Sequence, residues 1–518
     1  MSYELIILLV LPIALALPIY LLGRTNASLA KWLTTAIIGF TTLYSFWLWI
    51  VHFAFSGPNY DPTNSEAGFK MLFKIDWIPN AGIKFAVGVD GLSMPLVVLT
   101  QVVFIVSVVS SFYIKDQEGS YYALVLVLLS AVTGTFIALD LLLFYIAWEL
   151  VLVPMFFMIH IWGGDNRKYA AIKFFIYTAL ASLVMLIGLF YIYIEGGNTF
   201  YLPELRETFS AGGVDFSTIA LIFVLVFIGF VTKFPQVPVH TWLPDAHVEA
   251  PSPGSAILAG LLLKMGGYGL MRVGFWLFAG AQVDGVYFFE SEQGRQIRIA
   301  MAIIGVVSMV YPAFIALRQD DLKRMIAYSS ISHMGIVLLG LAAYNTMGFN
   351  AAMYMMIAHG VISPALFLIS GIIEHNTKSH TRLISKVGGL GHKMPFLAGL
   401  FAFMGFASAG LPGLAGFIAE FGAFLGMFQD KDLLASDRWI WIPVLAVLSI
   451  VITAGYYLWA MQRVLFNEPT DELDDASFAK WWEIGPIIVL ALFTLLLGLV
   501  PSVVWEILDD WSNSVIGS

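Results

Sequence analysis

Fourteen predominantly apolar stretches, each long enough to cross a bilayer, follow one another along this chain with mostly short loops between them. They run over 3–22, 30–55, 91–114, 121–139, 141–162, 169–194, 216–238, 254–279, 297–317, 323–343, 349–373, 395–428, 439–465 and 482–507, numbered here as spans one to fourteen. A hydrocarbon core about 30 Å thick takes roughly 20 apolar residues per helix. A run isolated in lipid must also satisfy its own backbone polar groups, which a helix does and a lone strand does not. The expected fold is therefore an all-α polytopic membrane protein with about 14 transmembrane helices. Charged residues make up 12% of the 518 positions and hydrophobic residues 59%, against about 25% charged in ordinary globular domains. That balance excludes a water-soluble enzyme and a disordered scaffold. A net charge of −9 argues against a nucleic-acid partner.

The chain contains no cysteine, which excludes disulfides, iron–sulfur ligation, thiolate zinc sites and c-type haem attachment. His240 and His247 lie seven apart with Asp245 and Glu249 nearby, but the segment reads as a loop or half-helix facing water rather than a metal site. No nucleotide fingerprint or phosphate loop is present. Neither a cofactor-binding site nor a metal site is expected in this chain.

An even number of crossings places both termini on one side. Counting Lys and Arg by loop gives 15 on one side and 8 on the other, with Lys233, Lys264 and Arg272 left inside the membrane. The positive-inside rule then puts both termini outside. Without an organelle-targeting sequence, a bacterial inner membrane is the expected location. The first span lacks a basic leader and a small-residue cleavage site, so it is expected to stay as a helix. The longest loop, 56–90, contains Phe69–Ile78 and Ile83–Val89 around Pro79-Asn80-Ala81-Gly82, which reads as a small exterior β-hairpin within 69–89. One membrane domain, 1–518, is the simplest division: spans one to three with the hairpin (1–114), a first set of five spans (121–279), a second set (297–465) and a C-terminal helix (482–518).

An ionisable side chain in mid-membrane costs about 2.5–3.5 kcal/mol on insertion scales and marks a functional position by default. Glu149 sits mid-span between apolar neighbours. Lys233 closes an apolar run and is followed at once by Phe234-Pro235-Gln236-Val237-Pro238. Those prolines interrupt the helix, and a broken helix is tolerated in a membrane only where it lines a cavity or is covered by protein. Lys264 lies in the middle of span eight among glycines that permit close helix approach. Arg272, nearer the end of that span, reads as an interfacial anchor. His333 and His359 are mid-span imidazoles on adjacent spans with serines close by. Glu420 follows Gly410-Leu411-Pro412-Gly413-Leu414-Ala415-Gly416, a second mark of a discontinuous helix. The two interrupted helices, seven and twelve, lie five spans apart, which predicts two inverted five-helix repeats over spans 4–8 and 9–13.

Residues 233–256 (KFPQVPVHTWLPDAHVEAPSPGSA), running on to 263–269 (LKMGGYG), together with Trp148-Glu149-Leu150, 328–335 (YSSISHMG) and 88–93 (GVDGLS), resemble the signature of the antiporter-like subunits of respiratory complex I, NADH-quinone oxidoreductase. The resemblance covers essentially the whole chain. Within that family the wording is most similar to the M-type subunits, the counterparts of mitochondrial subunit 4. Glu420 stands where the L- and N-type subunits and the Mrp-type antiporters usually carry lysine, and no long lateral helix of the L type is expected after span fourteen. The resemblance implies a fourteen-helix fold with one proton channel, in a translocase subunit without redox chemistry of its own. It places FMN, iron–sulfur clusters and quinone in partner subunits, and L- and N-type subunits as neighbours in the membrane arm. It also implies that Lys264 is the central relay and Glu420 the terminal group.

The expected mechanism is a charge-pair switch. A carboxylate beside a buried lysine favours its protonated form, and low dielectric alone disfavours it. Bringing Glu149 to Lys233 and then separating them is therefore a way to load and release a proton. Two alternatives stay open on sequence alone: an Mrp-type cation/proton antiporter subunit, and an M-like subunit of a related complex with a different electron donor.

Overall fold

The computed structural model describes residues 2–54, 66, 68–434, 437–473 and 479–516. Among them, thirteen helices are long and apolar enough to cross a membrane. The remaining predicted span, the twelfth, is two shorter apolar helices, Pro395–Ser408 and Ala415–Gln429. All the predicted spans are thus present, the twelfth as two separate helices. The last residue of predicted span two, most of the loop ahead of the hairpin and the extreme ends of the chain lie outside the described residues.

The breaks in spans seven and twelve have local causes. Span seven stops at Lys233 rather than 238, because Pro235 and Pro238 offer no N–H to carry the ladder on. The chain turns through 234–241 and resumes as the short helix Trp242–Glu249. A carbonyl freed at the break is recaptured at once, since the Trp242 indole N–H donates to Thr232 O at 2.8 Å. Span twelve opens between Ser408 and Ala415, where Gly410 and Gly413 take φ of +75° and +91°, conformations that L side chains rarely adopt. Because five crossings is an odd number, the second set of five enters the membrane from the side opposite the first.

Two predicted boundaries are corrected. The expected C-terminal helix over 482–518 is two helices, Trp481–Leu499 and Ser502–Ile516, separated at Pro501, which cannot donate to the preceding turn. Span eight is not a regular α-helix. It contains π-helical turns at Leu258–Leu262 and Leu270–Trp276 on either side of Lys264.

The hairpin is as predicted: Lys70–Ile78 pairs antiparallel with Ile83–Val89, joined by a 3₁₀ turn at Pro79–Ala81. A second, two-residue ladder, Gln282–Val283 with Val286–Tyr287, follows span eight. Burial sorts the bundle into axis and rim. Spans eight and eleven are wholly buried over their most apolar windows, whereas spans one and two are 28% buried and turn most of their surface outward. Lys264 and His359 therefore sit on the axis of the bundle.

Candidate functional site

The site is built from helix interruptions, each of which leaves backbone carbonyls outside the regular ladder. Span five is two helices, Leu141–Leu150 and Leu152–Trp162, meeting at Val151 just ahead of Pro154. Lys233 reaches into that interruption. Its Nζ donates to Trp148 O at 3.0 Å and lies 3.9 Å from the centroid of the Trp148 ring, and the residue is buried. Glu149, the next residue, is half-buried with Oε1 lacking a hydrogen-bond partner. The expected Glu149–Lys233 contact is therefore not made directly. Glu149 acts on the lysine through space, while a carbonyl and an aromatic face hold the ammonium.

Deeper in the bundle the groups do touch. A π turn displaces carbonyls from the usual pairing. In span eight the carbonyl at Ala259 accepts from the Lys264 side chain at 2.5 Å. The same Nζ lies 2.6 Å from His359 Nδ1. The His359 and His333 rings stand 5.4 Å apart, tilted by 66°. His333 Nε2 donates to Ser408 O, a carbonyl at the break in span twelve, at 3.0 Å and is 4.0 Å from Glu420 Oε1. A small cavity lined by His333, His359, Ser408 and Glu420, among others, has room for about one water. Gly410 makes space for the carboxylate, because a Cβ there would lie 2.1 Å from Glu420 Oε2. Four of the six predicted site residues thus form one contiguous buried row, Lys264–His359–His333–Glu420. The other two, Glu149 and Lys233, form a separate group against an aromatic wall of Phe144, Trp148, Phe230 and Tyr268.

Several buried polar groups escape the sequence reading. Tyr457 links Ser329 and Ser408 through its hydroxyl at 2.9 and 2.8 Å, adding a hydroxyl bridge beside Glu420. Arg272 is not an interfacial anchor. It is fully buried and paired with Asp90 at 2.6 Å, and Asp90 also accepts from the backbone of Leu92 and Ser93 at the start of span three. Arg298 and Lys323 fall at span ends and count with the loops by sequence, yet both are buried. Arg298 pairs with Asp430, and Lys323 donates to Ala250 O. His247 is buried, stacked on Phe367 at 4.3 Å, with neither ring nitrogen hydrogen-bonded.

A bundle of membrane-crossing helices with interrupted spans and a row of buried ionisable groups defines a polytopic membrane protein of the antiporter type. Residues 138–453 match the family described as NADH:quinone oxidoreductase/Mrp antiporter, transmembrane, and the chain belongs to that family. It is 39% identical to the F420H2 dehydrogenase subunit M of Methanosarcina mazei, covering 88% of this chain and 89% of that one. To NAD(P)H-quinone oxidoreductase chain 4 of Synechococcus elongatus it is 39% identical over 97% of this chain and 89% of the relative. The NADH-quinone oxidoreductase subunit M of Rhodobacter capsulatus is 36% identical, with 96% and 93% covered. Among solved structures, a chain of respiratory complex I from Thermus thermophilus superposes with a TM-score of 0.82 at 25% identity, covering 99% of each chain. A chain of the Mrp complex from Dietzia also gives 0.82 at 25% identity, this chain spanning 52% of it.

Proposed function

We propose that this chain is an M-type membrane-arm subunit that moves protons across the bilayer, driven by electron transfer to quinone in other subunits. The observation that carries this reading is the contiguous row Lys264–His359–His333–Glu420, each member within reach of the next directly or across about one water. Its members exchange protons by N–H and O–H transfer alone, with no redox-active side chain between them. In this reading Glu149 and Lys233 load the row. Their separation in the structure leaves the lysine charge to a carbonyl and an indole ring, which hold it without a counter-charge.

Glu420 gives the far end a distinct chemistry. A proton arriving there neutralises the group, whereas the same proton would charge a lysine. Flavin, iron–sulfur clusters and quinone belong in this reading to partner subunits, and L- and N-type subunits flank the chain in a bacterial inner membrane with both termini outside. Relatives named for F420H2 and for NAD(P)H are equally similar to this chain, so in this reading the electron donor is set by partner subunits.

The test is to purify the complex in mild detergent, identify its subunits, and measure proton release per electron after reconstitution. Companion chains with flavin and iron–sulfur motifs, and loss of pumping in Lys264→Ala, are the expected results. Isolation with small hydrophobic antiporter chains only, or sodium-driven proton flux without electron transfer, would favour the Mrp-type reading instead.

A further inference from the structure

A second polar pocket lies at the end of the bundle that carries Lys115, Lys378 and Lys480, the side that the charge count predicts to be inner. It is walled by the ends of spans three and eleven and the beginnings of spans eight and fourteen. Ser110, Tyr113, Ser252, His375 and Glu483 supply its polar lining around a small space with room for about one water. The arrangement grades from wet to dry. His375 is exposed, Glu483 and Tyr113 are half-buried, and Ser110 and Ser252 are buried. The His375 and Tyr113 rings meet edge-to-face at 4.2 Å. Among the described residues the Ser110 hydroxyl has no hydrogen-bond partner, an unusual state for a buried polar group. Gly371 keeps the inner wall open, because a Cβ there would sit 2.2 Å from Ser252 Oγ. Two residues before Ser252, the carbonyl of Ala250 holds the buried Lys323.

We infer that this pocket is the proton-uptake vestibule for the buried row, with Glu483 as the group that takes protons from bulk water and His375 as its partner at the mouth. The inference rests on the proton-translocating reading above. Glu483 is suited to the task because, among the described residues, its one hydrogen bond engages a single oxygen, Oε2 accepting from the Lys480 backbone N–H at 2.7 Å at the start of span fourteen. A proton from water forms an O–H bond on the carboxylate, passes to the imidazole as that O–H bond breaks, and leaves the pocket through water towards Lys323. The charged and titratable groups around the mouth are Glu374, Glu483, His380 and Lys323, all acting on His375, with Tyr113 facing it from span three. Three residues beyond Ser252, the Ser255 hydroxyl donates to His247 O at 3.0 Å, so the inner wall of the pocket runs on to the helix that carries His247.

The experiment uses the whole complex in proteoliposomes, with Glu483→Gln, Glu483→Asp and Lys264→Ala compared at several pH values on the pocket's side. Gln and Asp both keep an oxygen to accept the Lys480 N–H, so the helix start is retained. Glu483→Gln is expected to slow coupled turnover about tenfold near neutral pH, less than the roughly 100-fold or more lost with a catalytic acid, because water at the mouth still supplies protons. Acidifying that side by about one unit should restore the rate, since a tenfold loss in a step first-order in protons is offset by a tenfold rise in their concentration. Glu483→Asp should stay close to wild type. A Glu483→Gln complex with a wild-type rate and pH profile, beside a Lys264→Ala complex that no longer pumps, would overturn the vestibule and leave the proposed function standing. A Glu483→Gln defect that neither acid nor aspartate relieves would show a purely structural role and also overturn it. Normal pumping by Lys264→Ala would remove the proposed function, and the vestibule with it.

Discussion

The two stretches of the buried charge line solve the same problem differently. At Glu149 and Lys233, the ammonium is held by the Trp148 carbonyl and indole face, with its carboxylate neighbour acting only through space. From Lys264 to Glu420, side chains meet side chains at 2.6, 5.4 and 4.0 Å, beside a small polar cavity. Aromatic rings surround the first stretch, and hydroxyls and freed carbonyls surround the second. In the proposed function, a proton is handed along the second by small movements of side chains and water. The first requires Lys233 to change partner, which makes it the part of the line suited to gating. The difference teaches that helix breaks do two jobs: they supply carbonyls that hold an isolated charge, and they open room for a relay.

The largest expected effects break the gate. Glu149→Ala and Lys233→Ala should each abolish pumping, a loss of at least about 100-fold for a positioned proton carrier, while the complex still assembles. Proton release in proteoliposomes and subunit content of the purified complex check both halves of that statement; normal pumping in either variant would remove the gate. Next comes Gly410→Ala, which places a Cβ against the Glu420 carboxylate in a backbone conformation unfavourable to alanine. It should reduce proton release by about tenfold at unchanged quinone affinity, and a wild-type ratio would show that the carboxylate position is not critical. Glu420→Lys should give a smaller, partial defect of a few fold, because a titratable group remains but its charged state is reversed; wild-type pumping would show that acid and amine are interchangeable there. Asp90→Asn should act on stability and leave pumping least affected. Removing one partner of a buried ion pair costs about 3–5 kcal/mol, readable as a lower Tm of the detergent-solubilised complex, and an unchanged Tm would show that Arg272 finds another partner.

Much of this was legible in the chain because membranes impose simple rules. Span lengths follow from bilayer thickness, and mid-span charges stand out because they are expensive there. The prolines after Lys233 and the glycines before Glu420 announce their breaks. What was not legible depends on distant partners or subtle geometry. Arg272 reads as an anchor until Asp90, 182 positions away, is folded beside it. Arg298 and Lys323 sit near span ends, where a long side chain can ordinarily snorkel to water; only packing shows them buried. The π turns around Lys264 leave no compositional trace, since Leu258–Leu262 and Leu270–Trp276 are built from residue types that also fill the α-helices of this chain. The serines beside His333 are legible, but Tyr457, 128 positions beyond Ser329, joins them only once the chain is folded. Pro501 was visible, but the apolar run on its far side hid the end of span fourteen.

The most direct test of the central claim is the number of protons released per electron by the reconstituted complex carrying His359→Leu, which cuts the row between Lys264 and His333 while keeping an apolar side chain in the space. Release attributable to this subunit is expected to disappear, and coupled turnover to fall with it. An undiminished ratio at wild-type turnover would show that protons cross by a route that does not use these side chains.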